Sequence, residues 1–178
     1  MTDDRLVVLL GEDLKPVGTA PRDQVHHAQT PLHLAFSCYL LDDAGRVLVT
    51  RRALTKRTWP GVWTNSFCGH PAPGEEMEHA VRRHARDELG IELSTISLVL
   101  PDFRYRAADS NGMVENELCP VFMATTHDSI VAAQHEVAEW TWVDLGALAD
   151  AARNLPNLLS PWSVLQLARL ADSLAVTA

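Results

Sequence analysis

The sequence predicts an α+β (α/β) fold, a mixed β-sheet sandwiched between a few α-helices. Three observations predict it. Short apolar runs separated by Gly, Pro and Asp clusters recur as far as residue 144, the pattern of strands and turns. Between them, Glu75 to Leu89 carries helical apolar spacing and stops at Gly90, the usual C-terminal residue of a helix. Two more helical segments follow the last strand. Elements in this order bury their apolar faces by packing helices onto a sheet.

Each element has its own signal. RLVVLL (residues 5–10) reads as a strand. LHLAFSCYLLDDAGRVLVTRR (32–52) reads as a hairpin around DDAG. On its first arm His33 shares a face with Ala35 and Ser37, while Leu34, Phe36 and Cys38 point to the core. ALTKRTWPGVW (53–63) is a loop marked by Pro60 and Gly61. WTNSFCGH is a short strand-like piece and PAPG a turn. After the Glu75–Leu89 helix, residues 92–100, 103–107, 115–126 and 136–144 are strands. LGALADAARN (145–154) and SPWSVLQLARLADSLA (160–175) are helices.

The chain has 178 residues and is 47 % hydrophobic. That suits one domain, 1–178, with a sizeable core. It contains no repeat or linker. No run of eighteen apolar residues exists, which excludes a membrane-spanning helix. The opening MTDDRLVVLL lacks the basic start of a signal peptide. Cys38, Cys68 and Cys119 are odd in number and widely spaced, which suits a reducing compartment rather than a disulfide scaffold. A cytoplasmic location is expected. The net charge of −8 makes nucleic acid a poor partner, and a monomer is expected.

Several residues carry chemistry. On the Glu75–Leu89 helix, Met77, Val81, Ala85 and Glu88 share a face. A carboxylate there needs a partner or a cation, so Glu88 reads as a helix-end salt bridge or as a metal ligand. Glu115 and Glu117 share a strand face. Held close, they need a cation or a proton; otherwise they form a solvated face. Cys68 stands before Gly69 and His70, whereas Cys38 and Cys119 read as core. His79, His127 and His135 read as structural. Arg51, Arg52, Lys56 and Arg57 concentrate positive charge in an acidic chain. Arg51 and Arg52 must face opposite ways, so only one reaches a given ligand.

The spacing Gly69, five residues, Glu75, seven residues, Arg83, then Asp87-Glu88-Leu89-Gly90-Ile91 resembles the Nudix signature. That loop–helix–loop places carboxylates around a divalent cation on a diphosphate. Two positions depart from it: His84 stands in place of the first glutamate of the signature's core, and Asp87 in place of another. A missing acid removes a ligand that diphosphate hydrolysis requires.

The blocks TPLHLAFS, RRALTKRTWPGVWTNSFCGHPAPGE, PDFRYRA, NGMVENELCPVF and SPW resemble, in order, the type I isopentenyl-diphosphate isomerases from about residue 22 to 162. The resemblance implies a Nudix-type α/β/α fold and interconversion of isopentenyl and dimethylallyl diphosphate by moving one double bond. It implies Cys68 and Glu117 as opposed proton-transfer groups, Tyr105 orienting Glu117, and the Trp162 indole facing the cationic intermediate. His26, His33, His70, Glu115 and Glu117 are the implied ligands of a first metal, manganese, magnesium or zinc. Family spacing selects His26 over His27. Glu88 and the Cys68 carbonyl are the implied ligands of a magnesium that arrives with the diphosphate. Arg22, Arg52 and Lys56 are the implied diphosphate contacts, and His84 removes a contact that is often an arginine. A nucleotide-diphosphate hydrolase of Nudix type and a noncatalytic metal-stabilised binding module are the alternatives.

Overall fold

The structure, a computed structural model, describes residues 5–176, and the side chains of residues 5–171. The start of the MTDDRLVVLL opening, residues 1–4, lies outside the described residues.

Two sheets meet at the functional end of the molecule. The first has five strands, β1 (Leu6–Leu10), β2 (Pro16–Pro21), β3 (His33–Leu34), β9 (Arg104–Ala108) and β10 (Val114–Leu118), in the order β2-β1-β3-β10-β9. The second is built on β4 (Phe36–Leu41), β5 (Val47–Arg52), β8 (Thr95–Leu100), β11 (Val121–Thr125) and β12 (Val137–Val143), in the order β12-β5-β4-β11-β8. Two short strands join it: β6 (Trp63–Thr64) on β5 and β7 (Phe67–Gly69) on β4.

Helices cover both faces of the second sheet. On one face α1 (Met77–Leu89) packs Ala80, Val81, Ala85 and Leu89 against Phe36, Leu40 and Phe67. On the other, α2 (Leu145–Asn154) and α3 (Pro161–Val176) pack Leu148, Trp162 and Leu167 against Tyr39, Val49 and Val121. This is the expected mixed sheet between helices. No helix among the described residues is long and apolar enough to cross a membrane.

Five local readings are corrected. The strand β2 was not expected, because PVGTAP is exposed almost throughout and carries two prolines and a glycine; its pairing with β1 at the sheet edge forms it. The 32–52 hairpin holds only at its tip, where Leu41 faces Val47. Its first arm breaks at Ala35 into β3 and β4, which lie in different sheets. Because β4 is central, both of its faces are buried, so Ser37 lies in the core as fully as Phe36 and Cys38, and Ala35 at the break is buried beside them. The single strand over 115–126 breaks at Cys119-Pro120 into β10 and β11; proline has no N–H for the ladder. Finally, α1 begins at Met77 rather than Glu75. Gly74 turns the chain at φ 76°, and the Glu75 side chain accepts from the Ala72 N–H at 2.8 Å and from Arg83 at 2.7 Å.

Candidate active site

The two breaks carry the site. At Ala35 and at Cys119-Pro120 a pair of parallel strands passes from one sheet to the other and opens a cavity of about 760 Å³. One rung of the first sheet brings Glu117 and Tyr105 to its wall. Glu117 on β10 faces His33 on β3 on one side and Tyr105 on β9 on the other. Glu115, two residues before Glu117, presents its carboxylate on the same side, as strand periodicity requires. The Tyr105 hydroxyl lies 2.6 Å from Glu115 Oε2 and 2.9 Å from Glu117 Oε2. Tyr105 therefore spans both acids rather than Glu117 alone.

Three imidazoles gather at the other carboxylate oxygen. Glu117 Oε1 is 3.4 Å from His33 Nε2 and 3.3 Å from His70 Nε2. His26 enters from the loop after β2, with its ring centroid 5.1 Å from that of His33 and 5.8 Å from that of His70. One ligand atom from each of His26, His33, His70 and Glu117 lies within 4.8 Å of the others. Glu115 stands outside this tight group, held by Tyr105. The Nε2 atoms of His26 and His33 and the Nδ1 of His70 are buried with no hydrogen-bond partner. An unpartnered buried ring nitrogen costs about 1–3 kcal/mol, and a divalent cation beside Glu117 would satisfy those of His26 and His33. Mixed nitrogen and oxygen donors of this kind fit a divalent cation.

The electrostatics suit such an ion. Burial lowers His26 to about 4 and His70 to about 3, so both rings are neutral with a lone pair free. Burial also opposes charge on His33, but Glu117 beside it prevails and raises its pKa. Burial works against charge on Glu117 too, yet His33 and His70 hold its carboxyl well below the usual range. Glu115 is raised to about 7 by burial and by the Glu117 charge.

Cys68 lines the same cavity from β7, opposite Ser37 of β4. Alternation along β7 sends Phe67 to the α1 core and leaves Cys68 half-buried at the cavity. Burial pushes its thiol up to about 12. Its sulfur is 3.4 Å from Ser37 Oγ and 3.1 Å from Asn65 Oδ1. Cys38 and Cys119 are buried, as expected of core residues.

Glu88, Arg22, Arg52, Lys56 and Trp162 line this cavity as well. Arg52 donates to the Thr58 carbonyl, and its guanidinium carbon lies 5.7 Å from the Trp162 ring centroid. Arg51 turns away to the Gly61 carbonyl and Glu139. Lys56 is ion-paired with Glu136, an acid at the cavity that the sequence did not single out. Trp162 stands edge-on to Trp59, with centroids 5.4 Å apart. His84 does not line the cavity; it lies beneath Gly69 and bonds Glu88 at 2.6 Å.

A mixed sheet between helices, with a group of possible divalent-metal donors at one end, is a frame suited to metal-dependent chemistry. The chain belongs to the Nudix family, whose NUDIX domain matches residues 31–162. Within it, the chain belongs to the isopentenyl-diphosphate Delta-isomerases. It is 52 % identical to the protein of that name from Paenarthrobacter aurescens, over 99 % of this chain and 96 % of that one. The enzyme of Agromyces mediolanus is 60 % identical, over 90 % of this chain and 78 % of that one. Among solved structures, DR0079 from Deinococcus radiodurans superposes with a TM-score of 0.69 at 19 % identity, covering 92 % of this chain and 98 % of that one. The MutT protein from Methanosarcina mazei Go1 follows with 0.63 at 18 %, covering 82 % and 96 %. These two likenesses concern the fold alone.

Proposed function

We propose that this chain interconverts isopentenyl diphosphate and dimethylallyl diphosphate by adding a proton to one end of the alkene and removing one from the other side. One observation carries the reading: Cys68 and Glu117 line the same cavity, with Arg22, Arg52 and Lys56 beside them. One of the two groups gives a proton to the double bond and the other takes one from the resulting tertiary cation. Their roles exchange when the reaction reverses.

His26, His33, His70 and Glu117, with Glu115 beside them, would hold manganese, zinc or magnesium. Such an ion fixes the orientation of the Glu117 carboxylate and alters its acidity. Glu88 and the Cys68 carbonyl would meet a magnesium carried in by the diphosphate, which commonly uses few protein ligands. Arg22, Arg52 and Lys56 neutralise the diphosphate, with Lys56 released from Glu136 as the anion enters. The Tyr105 hydroxyl, with one proton to donate, lies within reach of both Glu115 and Glu117 and orients the pair. The Trp162 face would stabilise the cation by about 2 kcal/mol when water is excluded. The substrate is a small diphosphate met in the cytoplasm by a monomeric domain spanning the chain. Hydrolysis is the lesser reading, because the ring of His84 occupies a position where the signature places an acid.

The test is conversion of isopentenyl diphosphate by purified, metal-replete protein. Turnover is expected in wild type and absent in Cys68→Ala at unchanged circular dichroism. A wild type that only releases phosphate from nucleotide substrates, and does so equally as Cys68→Ser, would overturn it.

A further inference from the structure

The isomerase reading needs the sulfur and the indole held still relative to one another, and the inference below rests on that reading. Asn65 lies between them, buried to 1 % exposure. Trp162 Nε1 donates to Asn65 Oδ1 at 3.0 Å, and the Cys68 thiol reaches the same oxygen at 3.1 Å. The other end of the amide is committed. Its Nδ2 donates to the Cys38 carbonyl at 3.0 Å and to the Phe67 carbonyl at 2.8 Å. A flipped amide would set oxygen against two carbonyl oxygens and NH2 against an indole N–H that can only donate. The direction of Oδ1 is thereby fixed by three separate partners.

Thr64 Oγ1 at 2.8 Å and Ser163 Oγ at 3.4 Å also approach this oxygen. Two lone pairs do not serve four donors. The hydroxyls have alternatives: Thr64 lies 2.8 Å from Ser160 Oγ and 3.2 Å from Ser163 Oγ. The thiol's other neighbour, Ser37 Oγ, already accepts from Gln166 Nε2 at 2.9 Å. Gln166 is oriented in turn by the Tyr39 hydroxyl, which donates to its Oε1 at 3.0 Å. The Ser37 hydrogen is thus left for a sulfur, that of Cys68 or of Cys119 at 3.3 Å. The Cys68 thiol donates to Asn65, with Ser37 on its other side.

We propose that Asn65 is a positioning residue of the isomerase site, whose single amide oxygen sets the direction of the Cys68 S–H and the plane of the Trp162 ring together. It acts through those two side chains. Because Trp162 lies in the first turn of α3, the seating of that helix is transmitted to the thiol through one atom. Ser163 reinforces the seating, accepting from the Asn65 backbone N–H at 2.9 Å.

The test uses Asn65→Leu in the full, metal-loaded chain, an apolar side chain of similar size. The expected result is a kcat lower by about 10- to 100-fold, the scale of a small misplacement of reacting groups, with KM within about threefold of wild type. Two spectra read the bonds themselves. The Raman S–H stretch of Cys68, isolated by subtracting Cys68→Ser, is expected at a hydrogen-bonded frequency in wild type and to move up in Asn65→Leu. The Trp162 indole N–H resonance, assigned with Trp162→Phe, is expected to shift upfield in the variant. An unchanged kcat in a folded variant, or a loss confined to KM, overturns the proposal. If Asn65→Leu does not fold, the wild-type spectra decide: a free S–H band or a solvent-exchanging indole N–H overturns it. A wild type with both bonds present and no isomerisation sinks the isomerase reading, and reduces Asn65 to a structural tie.

Discussion

His84 Nδ1 lies 2.6 Å from Glu88 Oε1, one turn apart on α1, and both side chains are buried. The ring lies directly beneath Gly69: a Cβ added there would stand 2.4 Å from it. One of the two residues that depart from the Nudix signature, His84, therefore supports the acid that keeps to it. His84→Ala is expected to leave the Glu88 carboxylate without this partner and to destabilise the fold by about 1–3 kcal/mol. Gly69→Ala should cost a similar about 1–3 kcal/mol by overpacking. Because one ring mediates both effects, the double variant should be less unstable than the sum of the singles. Urea unfolding midpoints of the four proteins measure this; strict additivity would disconnect Gly69 from His84.

Tyr105→Phe removes a hydroxyl and little else. Hydrogen bonds to charged groups are worth about 1.5–3 kcal/mol. Lost in the transition state, that is roughly 10- to 100-fold in kcat. KM should hardly change, since Tyr105 meets the two carboxylates rather than the diphosphate. Steady-state kinetics would separate the two parameters.

Stability at acid pH should depend on Glu75. Arg83 beside it, with the Ala72 N–H, holds its carboxyl below the ordinary value of 4.5. A folded-state value below the unfolded one gives stability that is complete above about 4.5 and is lost as pH falls through the folded value. Glu75→Gln should be the less stable protein at neutral pH and should close on wild type as the solution is acidified from about pH 5 to 3. Thermal melts across that range would reveal parallel curves if the pair contributed nothing.

Stripping the metal with a chelator should abolish turnover and lower Tm together. An ion present at a hundredfold its Kd stabilises by about 2.7 kcal/mol, roughly 5–10 °C for a domain of this size. Adding back manganese, zinc or magnesium should restore both, and the strongest rescuer identifies the preferred ion. In His33→Ala the added metal should no longer raise Tm. A melt indifferent to chelation in wild type would count against the histidine site.

Much of this was legible in the sequence, for local reasons. The helix α1 follows from apolar spacing and from Gly90, which ends it in the left-handed conformation at φ 66°. The convergence of Glu115 and Glu117 follows from strand periodicity alone, as does the divergence of Arg51 and Arg52. What stayed hidden depends on partners distant along the chain. Lys56 reads as a free cation until Glu136, 80 positions on, is brought beside it. Asn65 is one polar residue in a short strand-like run, and its meaning comes from Trp162, 97 positions away. The edge strand β2 forms by pairing with β1, against its own composition. The break at Pro120 was visible as a residue, but its consequence, the passage of one strand between two sheets, belongs to the tertiary fold.

That passage occurs twice, in step. His33 faces Glu117 in the first sheet and Ser37 faces Val121 in the second, the same offset on either side of the crossing. The Ala35 N–H to Leu118 carbonyl bond at 2.9 Å and the Ser37 N–H to Pro120 carbonyl bond at 3.0 Å stitch the interval without a slip. Lengths here can therefore change only in matched pairs. A single codon inserted between residues 34 and 36, with none added opposite, would swing His33 to the wrong side of its strand and dismantle the ligand set while leaving every ligand in the sequence.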